Sequence, residues 1–193
     1  MLLAIDTSAG TSLAVLDLDG QVNVSHGTHD TRRHAEVLGE YLRDVPAQRI
    51  TGVVVGVGPG PFTGLRVGIA AARAFAWGAN VPLLPLVSHD AIAAARLGAR
   101  ADAVTCVVTD ARRREFFVSE YSGMVQGVPQ RVRGPRIETA LDPSAELADE
   151  VSAEWLARIA LAKVSAGSAF EPADAVYLRS PDVTLPAHRP ERP

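Results

Sequence analysis

The 193-residue sequence has one cysteine, Cys106, and its 19 basic residues include a single lysine, Lys163. One thiol excludes an intramolecular disulfide and a cysteine-rich metal cage, and Cys106, set in an apolar strand, reads as a small buried hydrophobe. One lysine, placed late in an alanine-rich helical stretch, removes two enzyme classes: Walker A loops, whose glycines run straight into lysine, and pyridoxal-phosphate enzymes, which need a pocket lysine. Long apolar runs are missing as well, since none reaches the ~18 residues of a membrane span. Met1-Leu2-Leu3-Ala4-Ile5 meets Asp6 with no basic region before it, which does not resemble an export signal, so a cytoplasmic protein is expected. A net charge of −3 argues against a chain that wraps nucleic acid unaided. What is present is a folded composition, 47% hydrophobic and 21% charged. It suits one large domain or two lobes of roughly 100 residues each.

Elements alternate regularly. Leu2 to Ile5 and Thr11 to Asp17 read as strands, and Asp19-Gly20 turns the chain into a third strand, Gln21 to His26. Apolar spacing at Ala35, Leu38, Leu42 and Val45 predicts a helix from Arg33 to Val45, stopped by Pro46. A fully apolar strand, Val53 to Val57, feeds Gly58-Pro59-Gly60-Pro61 and a long helix from Thr63 to Ala79; a strand at Val81 to Val87 and a helix from Ser88 to Leu97 follow. The second half restarts with strands at Val104 to Val108 and Glu115 to Tyr121, then a turn at Ser122-Gly123 into Met124 to Val132. Asp142-Pro143 can start a helix, and Val151 to Ala166 is helical up to Gly167. Superposing Asp6 on Asp110 aligns the two halves as a duplication. The expected fold is α/β, a duplicated actin-like (RNase H-like) fold: a lobe over 1–100, an abbreviated lobe over 101–180, and a loose Pro/Arg-rich tail over 181–193.

Four groups of residues could carry chemistry or a partner contact. The strand-loop-helix junction Gly56 to Arg66, with Gly58, Gly60, Thr63 and Arg66, is either an anion cradle at a helix N-terminus or a tight turn that lets helix and sheet pack closely. Asp6, with hydroxyls at Thr7 and Ser8, occupies the place where actin-like ATPases hold hydrated magnesium, although the turn after Asp110 has no glycine. Gly64, Gly68, Ala72 and Ala76 form a small-residue stripe at steps of four, which marks either packing within the chain or a partner helix. Arg112, Arg113 and Arg114, with Arg131, Arg133 and Arg136 beyond, are either a nucleic-acid-binding patch or a solvated face. His26, His29 and His34 lack helical i, i+4 spacing, so no metal site is expected.

Leu3-Ala4-Ile5-Asp6-Thr7-Ser8, Arg33 to Leu38, Gly58 to Gly68, Asp110-Ala111-Arg112-Arg113 and Val176-Tyr177-Leu178-Arg179 together resemble the TsaB (YeaZ) family. The resemblance implies an ASKHA fold and a non-catalytic paralogue of TsaD, working in threonylcarbamoylation of the adenosine next to the anticodon of tRNAs that read A-starting codons. TsaC makes the threonylcarbamoyl-adenylate, TsaD transfers the group and TsaE is an ATPase, so ATP and metal are expected on TsaD and TsaE, and no cofactor on this chain. It further implies that the first-lobe helices, through Ala35, Leu38, Leu42, Gly64, Leu65, Gly68, Ala72 and Ala76, pack on TsaD or on a second copy of the chain in a homodimer, with tRNA held only by the complex. His34 is kept, but Leu38 stands four residues on, so the family's metal pair is missing. The stretch from Gly134 to Val151 is shorter than the resemblance implies. An actin-like ATPase or kinase, or a glycoprotease-type peptidase, is the alternative.

Overall fold

The computed structural model describes residues 1–98, 100, 102–142 and 145–178. Its elements run β1 (Leu2–Asp6), β2 (Thr11–Leu16), β3 (Val22–Thr28), α1 (His34–Tyr41), β4 (Gly52–Gly56), α2 (Phe62–Ala79), β5 (Leu83–Leu86), α3 (Ser88–Leu97), β6 (Thr105–Asp110), β7 (Phe116–Val125), β8 (Val128–Glu138), β9 (Leu147–Ala148) and α4 (Ala153–Ser165). They build two sheets, β3-β2-β1-β4-β5 and β8-β7-β6-β9.

The continuous apolar runs occupy the places where both faces are covered. β1 and β4, buried at every residue, pair in parallel at the centre of the first sheet. One face of that sheet, with Leu3, Ile5, Leu13, Val15, Val53 and Val55, packs under α1 and α2. The other face, with Leu2, Ala4, Ala14, Leu16 and Val54, packs on α3 and α4, and the same cluster reaches Val107 and Tyr121 of the second sheet. Two helices are thus sandwiched between the sheets. β3, by contrast, alternates half-buried and exposed residues as the outer strand of the first sheet.

The duplication is visible in the hairpins. Asp6 pairs with Ser12 and Asp110 pairs with Phe116, so five residues separate the partners in each turn. Each aspartate accepts from the backbone N–H two residues on: Ser8 to Asp6 Oδ1 at 2.7 Å, and Arg112 to Asp110 Oδ1 at 2.8 Å.

Several boundaries depart from the sequence reading. Helix α1 ends at Tyr41 and tightens into a 3₁₀ turn over Leu42–Asp44. The turn expected at Ser122-Gly123 falls instead at Gln126-Gly127, both with positive φ (50° and 80°), because β7 continues to Val125. Helix α4 is capped by Ser152, whose Oγ accepts from Trp155 N–H at 3.4 Å; of the expected Asp142-Pro143 start, Pro143 lies outside the described residues. The short β9 was not anticipated. Arg179 and the 181–193 tail also lie outside the described residues.

Candidate functional site: a closed polar turn, an inter-sheet cleft and an outward helix face

The turn after β1 is fastened from three sides. Asp6 is 1% exposed. Its Oδ1 accepts from Ser8 Oγ at 2.6 Å, besides Ser8 N–H, and its Oδ2 accepts from Ser88 Oγ at 2.5 Å. Ser88 Oγ in turn accepts from Gly58 N–H at 3.0 Å, while Ser88 N–H donates to the Gly58 carbonyl at 2.7 Å. Burial pushes the Asp6 carboxyl above its ordinary range, opposed by the hydrogen bonds from Ser8 and Ser88. A side chain at Gly56 would overlap Asp6 Oδ2, so the glycine there makes room for the carboxylate.

Of the two readings of this junction, these contacts favour the tight turn. Asp6, Ser8 and Gly58 are bound to one another and to Ser88, and Gly60 packs so closely on Ser8 that a Cβ would stand 2.8 Å from Ser8 Cα. Thr7 Oγ1 donates to the Gly64 carbonyl at 2.7 Å and accepts from Gly68 N–H at 3.0 Å. Thr63 is exposed on the helix surface. The Arg66 guanidinium stacks 3.6 Å from the Phe62 ring centroid and donates from Nε to Tyr177 OH at 3.1 Å. Asp6, Thr7, Ser8, Gly58 and Gly60 form a structural knot, Arg66 stacks at its edge, and Thr63 stands apart on the helix surface, so the seven residues do not converge on one open pocket.

The small-residue stripe faces inward, the first of its two readings. Gly64, Gly68, Ala72 and Ala76 are all buried within the chain. A Cβ at Gly68 would overlap Thr7 Oγ1, and one at Gly64 would come within 2.6 Å of the Thr7 carbonyl. The stripe admits the β1 turn and His34, not an external helix. His34 Nδ1 lies 2.8 Å from Thr11 Oγ1, and burial lowers its pKa. Leu38 and Leu65 are buried, Leu42 is half-buried, and Ala35 alone of the eight residues expected at the interface is exposed. The outward ridge of α2 consists of Thr63, Ala70, Ala74, Trp77 and Gly78, with Val67 half-buried among them, and Ala35 and Gly39 are exposed on the neighbouring α1. Trp77 is 89% exposed.

Between the sheets lies a cleft of about 370 Å³, lined by residues that include Ser8, His29, Thr31, Pro61, Asp110 and Arg112. Asp110 pairs with Arg112 Nη1 at 3.3 Å. Arg131, Arg133 and Arg136, grouped with the arginine patch on sequence grounds, are engaged elsewhere. Arg131 bridges Asp90 (3.4 Å) and Glu171 (2.8 Å), Arg136 bridges Glu120 (2.6 Å) and Glu138 (2.7 Å), and Arg133 approaches Glu120 at 3.9 Å. Cys106 is exposed, contrary to expectation: β6 turns its neighbour Val107 into the core, and Cys106 falls on the opposite face.

Sequence reasoning missed the first turn of α3. Ser88 fastens the first sheet's loop, and the next two residues fasten the second sheet. His89 lies between Ser119 Oγ (2.8 Å from Nδ1) and Thr109 Oγ1 (2.9 Å from Nε2), fully buried, and burial lowers its pKa to about 3. Asp90 accepts from Tyr121 OH at 2.7 Å, and burial raises its pKa to about 6 against the pull of Arg131. A usable signal was present: three consecutive polar residues open a helix directly after a buried apolar strand.

The comparisons agree with this architecture. The family model for TsaD, tRNA N6-adenosine threonylcarbamoyltransferase, matches residues 29–171. Uncharacterized protein Rv3421c of Mycobacterium tuberculosis is 38% identical over 169 residues, covering 82% of this chain and 75% of that protein. The tRNA threonylcarbamoyladenosine biosynthesis protein TsaB of Escherichia coli is 28% identical over 163 residues, covering 80% of this chain and 69% of that one. Among solved structures, YeaZ from Pseudomonas aeruginosa superposes with a TM-score of 0.76 at 25% identity, covering 92% of this chain and 99% of its own. The fold is the duplicated actin-like one, and the chain belongs to the TsaB (YeaZ) family, related to TsaD.

Proposed function

We propose that, within tRNA threonylcarbamoyladenosine biosynthesis, where its family works, this chain is a non-catalytic scaffold that binds and activates a TsaD-type transferase together with a TsaE-type ATPase. In this reading ATP and metal sit on those partners, the chain forms a homodimer when alone, tRNA is held by the assembled complex, and the assembly works in the cytoplasm. The observation that carries the proposal is the outward face of α1 and α2. Trp77, 89% exposed, stands there beside exposed Ala70, Ala74 and Gly78, and α1 adds Ala35 and Gly39. A helix interior that leaves an indole in water gains by covering it, and small neighbours let an opposing helix come close. The closed Asp6 turn supports the non-catalytic half of the reading, because its carboxylate oxygens are already engaged by Ser8 and Ser88.

Mixing the purified chain with the TsaD-type protein of the same organism, followed by size-exclusion chromatography and a threonylcarbamoylation assay, tests the proposal. Co-elution, with transferase activity that depends on this chain, is expected. Full transferase activity without it, or robust ATP turnover by this chain alone, would overturn the reading.

A further inference from the structure

Two loops far apart in sequence meet at the mouth of the cleft. Arg112 Nη2 reaches Thr31 Oγ1 at 3.5 Å across 81 residues of chain. That contact sets Arg32 and Arg33, just ahead of α1, beside the β6–β7 turn that carries Arg112, Arg113 and Arg114. All five arginines are exposed.

The turn has an uncommon backbone. Arg112, Arg113 and Arg114 have φ of 64°, 55° and 61°, three successive residues in the left-handed region that side-chain-bearing residues avoid. The equivalent turn after β1, of the same length, has Gly10 as its one positive-φ residue, so the hairpin itself does not demand the strain. Here it is held by Asp110, which takes the Arg112 N–H, and by a pair of backbone bonds, Ala111 N–H to the Glu115 carbonyl and Glu115 N–H to the Arg112 carbonyl, both 3.0 Å. Strain of this kind persists where the surroundings impose it and gathers at ligand-contacting segments.

Carboxylates lie close by. Asp30 is 3.7 Å from Arg32 Nε, Glu36 is 2.6 Å from Arg33 Nε, and Asp110 is 3.3 Å from Arg112 Nη1. These pairs are solvent-exposed and add little to stability, so the guanidiniums can turn to a stronger acceptor. Phosphate is such an acceptor, and it matches the guanidinium fork with two parallel hydrogen bonds.

We infer that this rim of five arginines is the chain's contact with the ribose-phosphate backbone of tRNA. The inference rests on the proposed membership of a tRNA-modifying complex. Neither loop alone makes the surface; the cleft brings them together.

The test uses two sets of variants in the full chain. Asparagine tolerates the left-handed region, so the triple variant Arg112→Asn, Arg113→Asn, Arg114→Asn keeps the turn while removing its charge. Arg32→Ser with Arg33→Ser removes the other loop. Fluorescence anisotropy reads the binding of an unmodified transcript of a tRNA that decodes an A-starting codon, with the chain assembled on the transferase, from about 50 to about 200 mM salt. Each set is expected to weaken binding by roughly tenfold or more and to lower the slope of log affinity against log salt by about 1 per lost contact, while five lysines in place of the arginines keep most of the slope. Unchanged affinity and slope in both sets would overturn the inference. Co-elution with the transferase is read separately, and both sets should co-elute like wild type. Should wild type itself fail to assemble, the docking proposal falls, and the rim is judged on the chain alone: low-salt tRNA binding that both sets lose supports it, and no binding overturns it.

Discussion

Ser88 Oγ donates a 2.5 Å hydrogen bond to Asp6 Oδ2 although 82 residues separate the two in sequence. It joins the end of the first strand to the first turn of α3, and through Gly58 to the glycine-proline loop between them. In this fold that aspartate position suggests magnesium chemistry, yet here its geometry is that of a fastener. Asp6→Asn should therefore lower stability by about 2–3 kcal/mol, the scale of a lost charge-assisted hydrogen bond in a buried site. Urea unfolding checks it. An unchanged midpoint combined with lost nucleotide binding would return Asp6 to the role of a ligand.

Gly68→Leu tests the direction of the α2 stripe. The β1 turn approaches the helix there so closely that even a Cβ overlaps Thr7 Oγ1, and the Gly68 N–H to Thr7 bond would have to move. The cost should fall on the monomer, roughly 1–3 kcal/mol or more by overpacking, and appear as a lower melting temperature at dilutions where no dimer forms. A variant that melts like wild type and loses only association would show that the stripe faces a partner after all.

Trp77→Ala should do the opposite. The indole is almost wholly in water, so the dilute monomer should melt within a degree or so of wild type, since surface changes usually stay within about 0.5 kcal/mol. Association with the transferase should weaken about 30-fold or more, as for an interface anchor worth roughly 2 kcal/mol. Titration calorimetry separates the two effects, and undiminished affinity would move the docking face elsewhere.

Adjacent residues on α3 give opposite responses to acid. Asp90, raised from 3.8 to about 6, holds its proton more tightly when folded, so its contribution to stability grows as pH falls through 6. His89, lowered from 6.5 to about 3, resists protonation when folded, so its contribution is lost as pH falls below 6.5. Between pH 7.5 and 5.5 the aspartate gains and the histidine loses, each on the order of 1 kcal/mol, and the histidine loses more because its ordinary titration near 6.5 falls wholly inside that window, so the pair should lose stability slightly on acidification. Asp90→Asn should steepen that loss and His89→Gln should reverse it. Denaturant midpoints at the two pH values decide, and identical pH slopes in wild type and both variants would remove these residues from the acid response.

Much of the architecture was legible because the signals are local. The continuous apolar runs of β1 and β4 and the glycine-proline loop placed the centre of the first sheet and the start of α2 within a residue or two. The match of Asp6 to Asp110 found the duplicated hairpin, since strand, aspartate and turn are read within a dozen residues. The candidate site was less legible because its partners are remote. Glycine and alanine at steps of four say that something comes close, and they say nothing of whether it is Thr7 of the same chain or a helix of another. Arg131 and Arg136 look like free charge until folding brings Asp90, Glu171, Glu120 and Glu138 against them. The β7–β8 turn was misplaced because Gly123 and Gly127 offer the same local signal, and pairing of Val125 with Val128 across the sheet selects the second.

The helix α4 closes a face of the first sheet although it is the last helix in the described chain. On a ribosome, β1 to β5 emerge long before Ala153–Ser165, so Leu2, Ala4, Ala14, Leu16 and Val54 must wait half-covered until the chain has been made as far as Ser165. The early half of the molecule is therefore a sticky intermediate during synthesis, and the late half acts as its lid. Cutting the chain at the boundary between the two sheets would not release a free-standing module. It would remove the cover from the apolar face that α4 completes.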